Sequence, residues 1–257
     1  MLRNWNQLGR LTIRATEGDI GTVETIYFDD DQWVVRYFVV DTGGWRLGRR
    51  VLISPMSVRQ ANWPDGTIDV ALTKDEVRNS PDVDTERPVS RQHEVQFSGY
   101  YGYPYYWAGP GLWGAAAYPG ALGTSYASPE ARAVMDAARA EAEALQAESD
   151  SRNSHLRSAK VVKGYHIHAT DGEIGHVDDF LIDDESWAIR YLVVDTSNWL
   201  GGRSVLVAPS WIRDVSWDES KVFVSTTRHA VESSPEYDPM ITVTSPYEER
   251  LGSHYRQ

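Results

Sequence analysis

The sequence predicts a mostly β protein: two small β-barrels from an internal duplication, plus one connecting α-helix. Three observations predict it. The chain of 257 residues repeats itself at a constant, gap-free offset of 154 residues, from Arg36 to Arg190 for example. Each copy holds short runs rich in Val, Ile, Thr, Tyr and Trp, separated by turn-forming residues. Between the copies lies an uncharged aromatic stretch, followed by a run of strong helix formers.

The repeat is detailed. Thr16, Gly18, Ile20, Gly21 and Val23 recur as Thr170, Gly172, Ile174, Gly175 and Val177. "VRYFVVDT" at 35–42 recurs as "IRYLVVDT" at 189–196, and Trp45, Gly48, Arg49, Val51 and Leu52 recur as Trp199, Gly202, Arg203, Val205 and Leu206. A copy of roughly 90 to 100 residues has the size of a small domain and exceeds a solenoid unit.

Within a copy, "GTVETIYFD" and "WVVRYFVVDT" read as strands, and the acidic break "DDDQ" between them suits a hairpin turn. "RRVLISP" is a short strand stopped by Pro55. "SVRQANW" and "TIDVALT" flank a Pro-Asp-Gly turn and form a further hairpin. Short strands joined by tight turns suggest a small barrel. Thr73 and Glu76 then form a capping box for a short helix ended by Pro81. The second copy keeps Thr227 but has Ala230 at the glutamate position, so its helix start is expected to be weaker.

These bounds give a first barrel at 1–98, an aromatic, Gly- and Pro-rich linker at 99–127, a connecting helix at 128–150 and a second barrel at 151–257. From Phe97 to Pro129 no side chain is charged. Tyr105, Tyr106, Trp107 and Trp113 make this stretch the densest aromatic cluster of the chain. It is expected to pack against folded surface and bring the barrels together. The competing reading is an exposed arm for a partner or a membrane interface. Ser128 suits an N-cap and Pro129 the first helical position. Ala131, Val134, Met135, Ala138, Ala142 and Leu145 line one side of that helix.

The succession of an acidic residue with Gly-x-Ile-Gly, an acidic hairpin, "RYxVVDT", a turn followed by Trp, "VLxxP" and a helix ending in Ser-Pro resembles the PRC-barrel domain. The likeness covers roughly 10–100 and 164–255, and is greatest to bacterial proteins with tandem PRC-barrels and no other domain. That barrel occurs in the cytoplasmic domain of the photosynthetic reaction-centre H chain and in a ribosome-maturation factor. The resemblance implies a barrel that docks on other proteins. The chain differs from the first relative in lacking a membrane helix and from the second in lacking its other domain. No cofactor residue carries over.

Composition narrows the function. Hydrophobic residues make up 41% and charged residues 24% of the chain, an ordinary globular balance. The formal net charge of −12 argues against gripping a phosphate backbone, so no direct nucleic-acid partner is expected. With no cysteine there is neither a disulfide framework nor a thiolate metal site. The start lacks an apolar signal-like core and no long apolar span occurs, so a cytoplasmic location is expected.

Candidate site residues follow from the repeat. Arg36 with Asp41, and Arg190 with Asp195, are the charged members of the twice-used strand, expected to be fold-defining ion pairs or backbone anchors. Trp45 and Arg49, with Trp199 and Arg203, flank a turn in each copy and are residue types favoured at interaction hot spots. His166 and His168 face one side of a strand near His176, but two ligands without a placed third do not make a metal site. Gly109, Gly111 and Gly114 fit a G-x-G-x-x-G spacing without the strand and helix a dinucleotide site requires. The runs at Asp29–Asp31 and Asp183–Glu185 lack the spaced ligands of a calcium loop.

No Gly-x-Ser-x-Gly, HExxH or P-loop motif occurs. The reading is therefore a non-enzymatic interaction or scaffold protein without cofactor, whose protein partner the sequence does not name. A membrane surface and a homodimer are the secondary options. Two rivals stand beside it. One is a peripheral-membrane or photosynthesis-linked electron-transfer accessory protein. The other is a metal-binding enzyme using the histidines.

Overall fold

The computed structural model describes residues 1–8, 10–43, 49–81, 89–122, 155–196 and 203–255. The connecting helix placed at 128–150, together with Trp45 and Trp199, lies outside the described residues.

Two compact units form, and neither is a continuous piece of chain. One comprises Leu8–Ser158 with Glu185–Trp187; the other comprises Met1–Gln7, Ala159–Asp184 and Ala188–Gln257. The cuts placed at residues 98 and 151 therefore do not coincide with the compact units.

In the first unit, β2 (Thr12–Ala15), β3 (Gly18–Asp29), β4 (Val34–Asp41), β5 (Arg50–Ile53), β6 (Val58–Asn62) and β7 (Thr67–Val70) make a sheet of order β5-β4-β3-β2-β7-β6. All neighbours are antiparallel except β2 and β7, which run parallel. The second unit repeats this with β9 (His166–Ala169), β10 (Gly172–Asp183), β11 (Ile189–Asp195), β12 (Ser204–Val207), β13 (Ile212–Ser216) and β14 (Lys221–Val224), in the order β12-β11-β10-β9-β14-β13.

The seventh strand of each sheet comes from the other copy. β1 (Leu2–Asn4) pairs with β10 as Leu2↔Asp183, Arg3↔Ile182 and Asn4↔Leu181. β8 (Leu156–Ser158) pairs with β3 as Leu156↔Asp29, Arg157↔Phe28 and Ser158↔Tyr27. Every pair of one set maps on the other by the same 154-residue offset, and a helical turn follows each arm, α1 (Trp5–Leu8) after β1 and α4 (Ala159–Val162) after β8. The acidic hairpins hold these arms: Arg3 Nε donates to Asp184 Oδ2 at 3.0 Å, and Arg157 Nε to Asp30 Oδ2 at 2.6 Å.

Two local features explain why the motif is repeated so strictly. A Cβ on Gly21 would lie 2.0 Å from the Asp41 carbonyl oxygen, and one on Gly175 would lie 2.0 Å from that of Asp195. Only glycine lets these strands approach so closely. At the end of each repeated strand a buried threonine closes the turn: Thr42 Oγ1 donates to the Arg49 carbonyl and Thr196 Oγ1 to that of Arg203, both at 2.7 Å.

A helix follows each barrel's last strand. α2 (Lys74–Arg78) has a complete capping box between Thr73 and Glu76. Its counterpart α5 (Arg228–Glu232) keeps the Thr227 cap on the Ala230 N–H, without a glutamate returning the bond. A longer helix then lies on the outer side of each sheet: α3 (Arg91–Tyr101) and α6 (Ser245–His254). The linker boundary at 98/99 cuts through α3. Phe97 packs with Tyr27, Tyr37, Val39 and Leu52; Leu251 packs with Leu181, Tyr191, Val193 and Leu206, the equivalent set. The repeated strand is thus buried on both faces, which accounts for its near-continuous apolar sequence.

Candidate functional site

The repeated strand carries one strong charge in its interior, and a bulge decides where it points. In β3–β4 the register steps from Tyr27↔Tyr37 to Phe28↔Val35, leaving Arg36 as the extra residue. In β10–β11 it steps from Leu181↔Tyr191 to Ile182↔Ile189, leaving Arg190. A bulge re-aims its extra side chain, and here Arg36 reaches the outer layer rather than the barrel interior.

Arg36 has no exposed side-chain surface. Its Nη2 donates to Asp29 Oδ2 at 3.0 Å and to Gln32 Oε1 at 2.7 Å, and its Nη1 to the Leu112 carbonyl at 2.5 Å. The guanidinium carbon lies 3.9 Å from the Tyr106 ring centre and 4.9 Å from that of Trp113. A buried cation needs such compensation. Burial pulls Arg36 below its ordinary pKa, and Tyr106 and Asp29 oppose the shift. The expected pairing of Arg36 with Asp41 is therefore corrected: its carboxylate partner is Asp29. Asp29 also accepts the Asp31 and Gln32 N–H groups, tying the hairpin turn to the arginine. Asp41 accepts the Gly43 N–H at 2.8 Å, an Asx turn at the strand end.

A second charged pair stands beside the first. Arg91 and Glu94, one turn apart on α3, meet at 3.0 Å. Tyr106 Oη donates to Glu94 Oε1 at 2.6 Å and accepts from Arg91 Nη1 at 3.0 Å. Burial raises the Glu94 pKa, against the pull of Arg91 and the Tyr106 hydroxyl. Burial pushes the Tyr37 and Tyr106 hydroxyls well above the usual range, helped by the Glu94 charge.

The described part of the aromatic stretch is thus a strap on the first unit. Tyr106, Trp113, Ala116 and Leu122 are buried, and Trp113 Nε1 donates to the Ser186 carbonyl at 2.8 Å. The glycines of the nucleotide-like spacing make the tight return that presents Leu112 and Trp113. Gly111 N–H donates to the Gly114 carbonyl at 2.7 Å, and a Cβ on Gly111 would lie 2.4 Å from the Ala116 carbonyl oxygen. Tyr105 and Trp107 stack on each other with centroids 4.7 Å apart and stay partly exposed. As contact candidates, Tyr106 and Trp113 are corrected: both rings are committed to this chain's own arginine.

The second copy differs at the same place. Arg190 keeps 55% of its side chain exposed and approaches Glu248 at 3.7 Å. Tyr191 Oη donates to Glu248 Oε1 at 3.0 Å. Asp195 lies 3.9 Å from His176 Nε2, so no Arg190–Asp195 pair forms. The expectation of a fold-defining ion pair in copy two is corrected accordingly.

Arg49 and Arg203 turn out to hold helix ends. Arg49 donates to the carbonyls of Arg78 and Ser80 at 3.2 and 2.7 Å; Arg203 donates to those of Glu232 and Ser234 at 2.9 and 3.0 Å. Cations bonded to the last carbonyls of a helix are favourable. Both arginines stay partly exposed beside these bonds.

The histidines stay apart in role. His166 Nδ1 sits 2.8 Å from Glu173, and the His168 ring lies against Phe223 with centroids 5.5 Å apart. Among the described residues the group close enough to share an ion is instead Asp30, Asp31 and His155. Asp30 there is already paired with Arg157.

The duplicated sheets, the parallel closing pair and the outer helix now stand together. Residues 4–77 and 160–230 match the PRC-barrel domain, more than half of the chain. This chain belongs to the PRC-barrel family. It is a tandem PRC-barrel protein. No curated protein matches the chain. No helix among the described residues is long and apolar enough to cross a membrane.

Proposed function

We propose that this tandem PRC-barrel protein is a cytoplasmic docking or scaffold module that binds segments of other proteins on the outer faces of its barrels. One observation carries this reading. The first barrel already holds an uncharged aromatic segment, through Arg36 and the Glu94–Arg91 pair. A sheet face that seats a strap of its own chain has the chemistry to seat a segment of another. The membrane-foot alternative is weakened because two central rings of the strap are committed to this chain: Tyr106 and Trp113 keep 3% and 0% of their surface.

The test is affinity capture from native cells, with the tag on this chain and then, reciprocally, on whatever co-purifies. A protein retained near stoichiometrically in both directions is the expected result. Absence of any such protein, with the chain floating on lipid vesicles, would replace docking by membrane attachment. Stoichiometric zinc or nickel in the purified protein would favour the metal-enzyme rival.

A further inference from the structure

We infer that the Arg190 face of the second unit, where β11 meets α6, is a docking site for an uncharged peptide segment of a partner protein that carries aromatic rings and glycine. The inference rests on the docking-module reading and names the partner chemistry of one face. Its basis is the internal duplication, because the first unit shows what this face holds when covered.

Several elements of the seat recur. The same bulge turns out Arg36 and Arg190. The same tyrosine neighbours each arginine, Tyr37 and Tyr191. The same helix position supplies the carboxylate, Glu94 in α3 and Glu248 in α6, with Glu248 holding the Tyr191 hydroxyl at 3.0 Å. The same apolar core joins sheet and helix beside the arginine: Leu181, Val193, Leu206 and Leu251 are packed together there, as Tyr27, Val39, Leu52 and Phe97 are in the first unit.

The coverage differs. In the first unit an aryl ring lies 3.9 Å from the guanidinium carbon, a carbonyl takes its Nη1, and the arginine is sealed. In the second unit Arg190 is 55% exposed and its Glu248 contact is long, at 3.7 Å. A loosely paired, exposed arginine beside a tyrosine held by Glu248 has the character of an interface hot spot. The occupant that fits it must supply a ring for the guanidinium face, a backbone carbonyl for its N–H groups and a hydroxyl for the carboxylate. It must also lack acidic groups, which Glu248 would repel. Residues 103–116 have this composition, but Tyr106, Leu112 and Trp113 are engaged on Arg36. A segment of like chemistry from a partner is therefore the occupant. Two substitutions limit the likeness: Gln32, which accepts from Arg36 Nη2 at 2.7 Å, is Ser186 in the second copy, and Arg91, which stacks on Trp107 at 4.1 Å, is Ser245. The occupant's second stacking contact is lost there, so a weaker hold than that of the strap follows.

The experiment titrates the full chain against a fluorescent synthetic peptide with the sequence of residues 102–117, read by anisotropy. Saturable binding is expected, weakened about tenfold or more by Arg190→Ala, in line with the loss of one stacked cation. Arg59→Ala, an exposed arginine on β6 of the first unit, leaves it unchanged. Arg190→Lys, which keeps charge but loses the planar stack, falls between. No saturation, or saturation indifferent to Arg190→Ala, overturns the site; the second result would place the peptide elsewhere, displacement of the strap from Arg36 included. The two readings fail separately. A partner captured equally by wild type and Arg190→Ala leaves the docking module standing without this site, whereas no captured partner removes the module reading itself.

Discussion

Arg36 and Arg190 stand at the same bulge of the two barrels, 154 residues apart, one with no exposed side-chain surface and the other with 55%. One sequence motif therefore serves two physical roles. In the first unit its charge is neutralised by Asp29 and roofed by aromatic rings. In the second it faces solvent beside a carboxylate. Burial, not residue identity, sets what each arginine contributes.

Arg36→Ala is expected to destabilise the first unit by roughly 3 to 5 kcal/mol, because it strands a buried Asp29. Arg190→Ala is expected to change stability by less than about 1 kcal/mol, the range of an exposed pair. Denaturant unfolding of both variants checks this. Equal losses would mean that the two arginines carry equal structural load.

Gly21→Ala and Gly175→Ala are expected to cost roughly 1 to 3 kcal/mol each, as overpacking does. The added methyl would sit 2.0 Å from a backbone carbonyl oxygen, which no rotamer change relieves. Melting temperatures near wild type would show that these strands can move apart cheaply.

Arg49→Ala and Arg203→Ala each remove two charge-assisted bonds to helix-end carbonyls. A loss of about 1.5 to 3 kcal/mol is expected, since bonds to charged groups are worth about that much and these are partly solvated. Amide exchange should quicken at 77–80 in the first variant and at 231–234 in the second. Exchange that stays slow in both would return these arginines to the surface role the sequence suggested.

Much of this architecture is legible in the sequence, and the failures have physical causes. The hairpins, the Pro-Asp-Gly turn and the Thr73 capping box follow from local chemistry, which sequence displays directly. The exchanged arms do not. β1 and β8 are three residues long, with no alternation to mark them, and their pairing is fixed only by contacts more than 120 residues away. The partner of Arg36 is hidden in the sequence for a related reason. Strand alternation gives the side on which a residue lies, but a bulge reverses it, and nothing in "VRYF" announces one. The acidic hairpin held the missing signal: Asp29 ends β3 at a turn, where a short carboxylate both caps the loop and reaches back across the strand pair. The glycine spacing at 109–114 lacks a nucleotide context, and its use in a tight return depends on packing that spacing does not encode.

The strap should be protected from proteolysis except at its edges. Tyr100 and Tyr118 keep 42% and 41% of their surface exposed, whereas Tyr106 and Trp113 are buried. A brief digestion with a chymotrypsin-like protease is expected to cut beside the first two before the second two. Early cleavage at Tyr106 or Trp113 would show that the strap leaves Arg36 readily. Arg36→Ala should bring about that same early cleavage, since it removes the cation both rings cover.

Asp179 gives the second unit an unusual response to pH. It is 4% exposed and accepts the Phe180 N–H at 2.9 Å and, from the first residues of the chain, the Asn6 N–H at 3.3 Å. Burial raises its pKa from 3.8 to about 6, against the pull of the Phe180 N–H, Lys163 and the Asn6 N–H and with a push from Asp178. Below about pH 4 folded and unfolded chains both hold the proton. Between about pH 4 and 6 the unfolded chain releases it while the folded one retains it, so stability falls as pH rises. Above the folded pKa both are ionised and the loss is complete, about 2 to 3 kcal/mol for a shift of this size. The other carboxylates titrate in both proteins, so the informative quantity is the difference from Asp179→Asn. That variant keeps an oxygen for the Asn6 N–H without the buried charge. It is expected to be more stable than wild type at pH 7.5 by about 1 to 3 kcal/mol, with the gap closing toward pH 4.5. A gap that stays constant across that range would show that Asp179 does not titrate near 6, and that its burial is relieved by solvent at the arm.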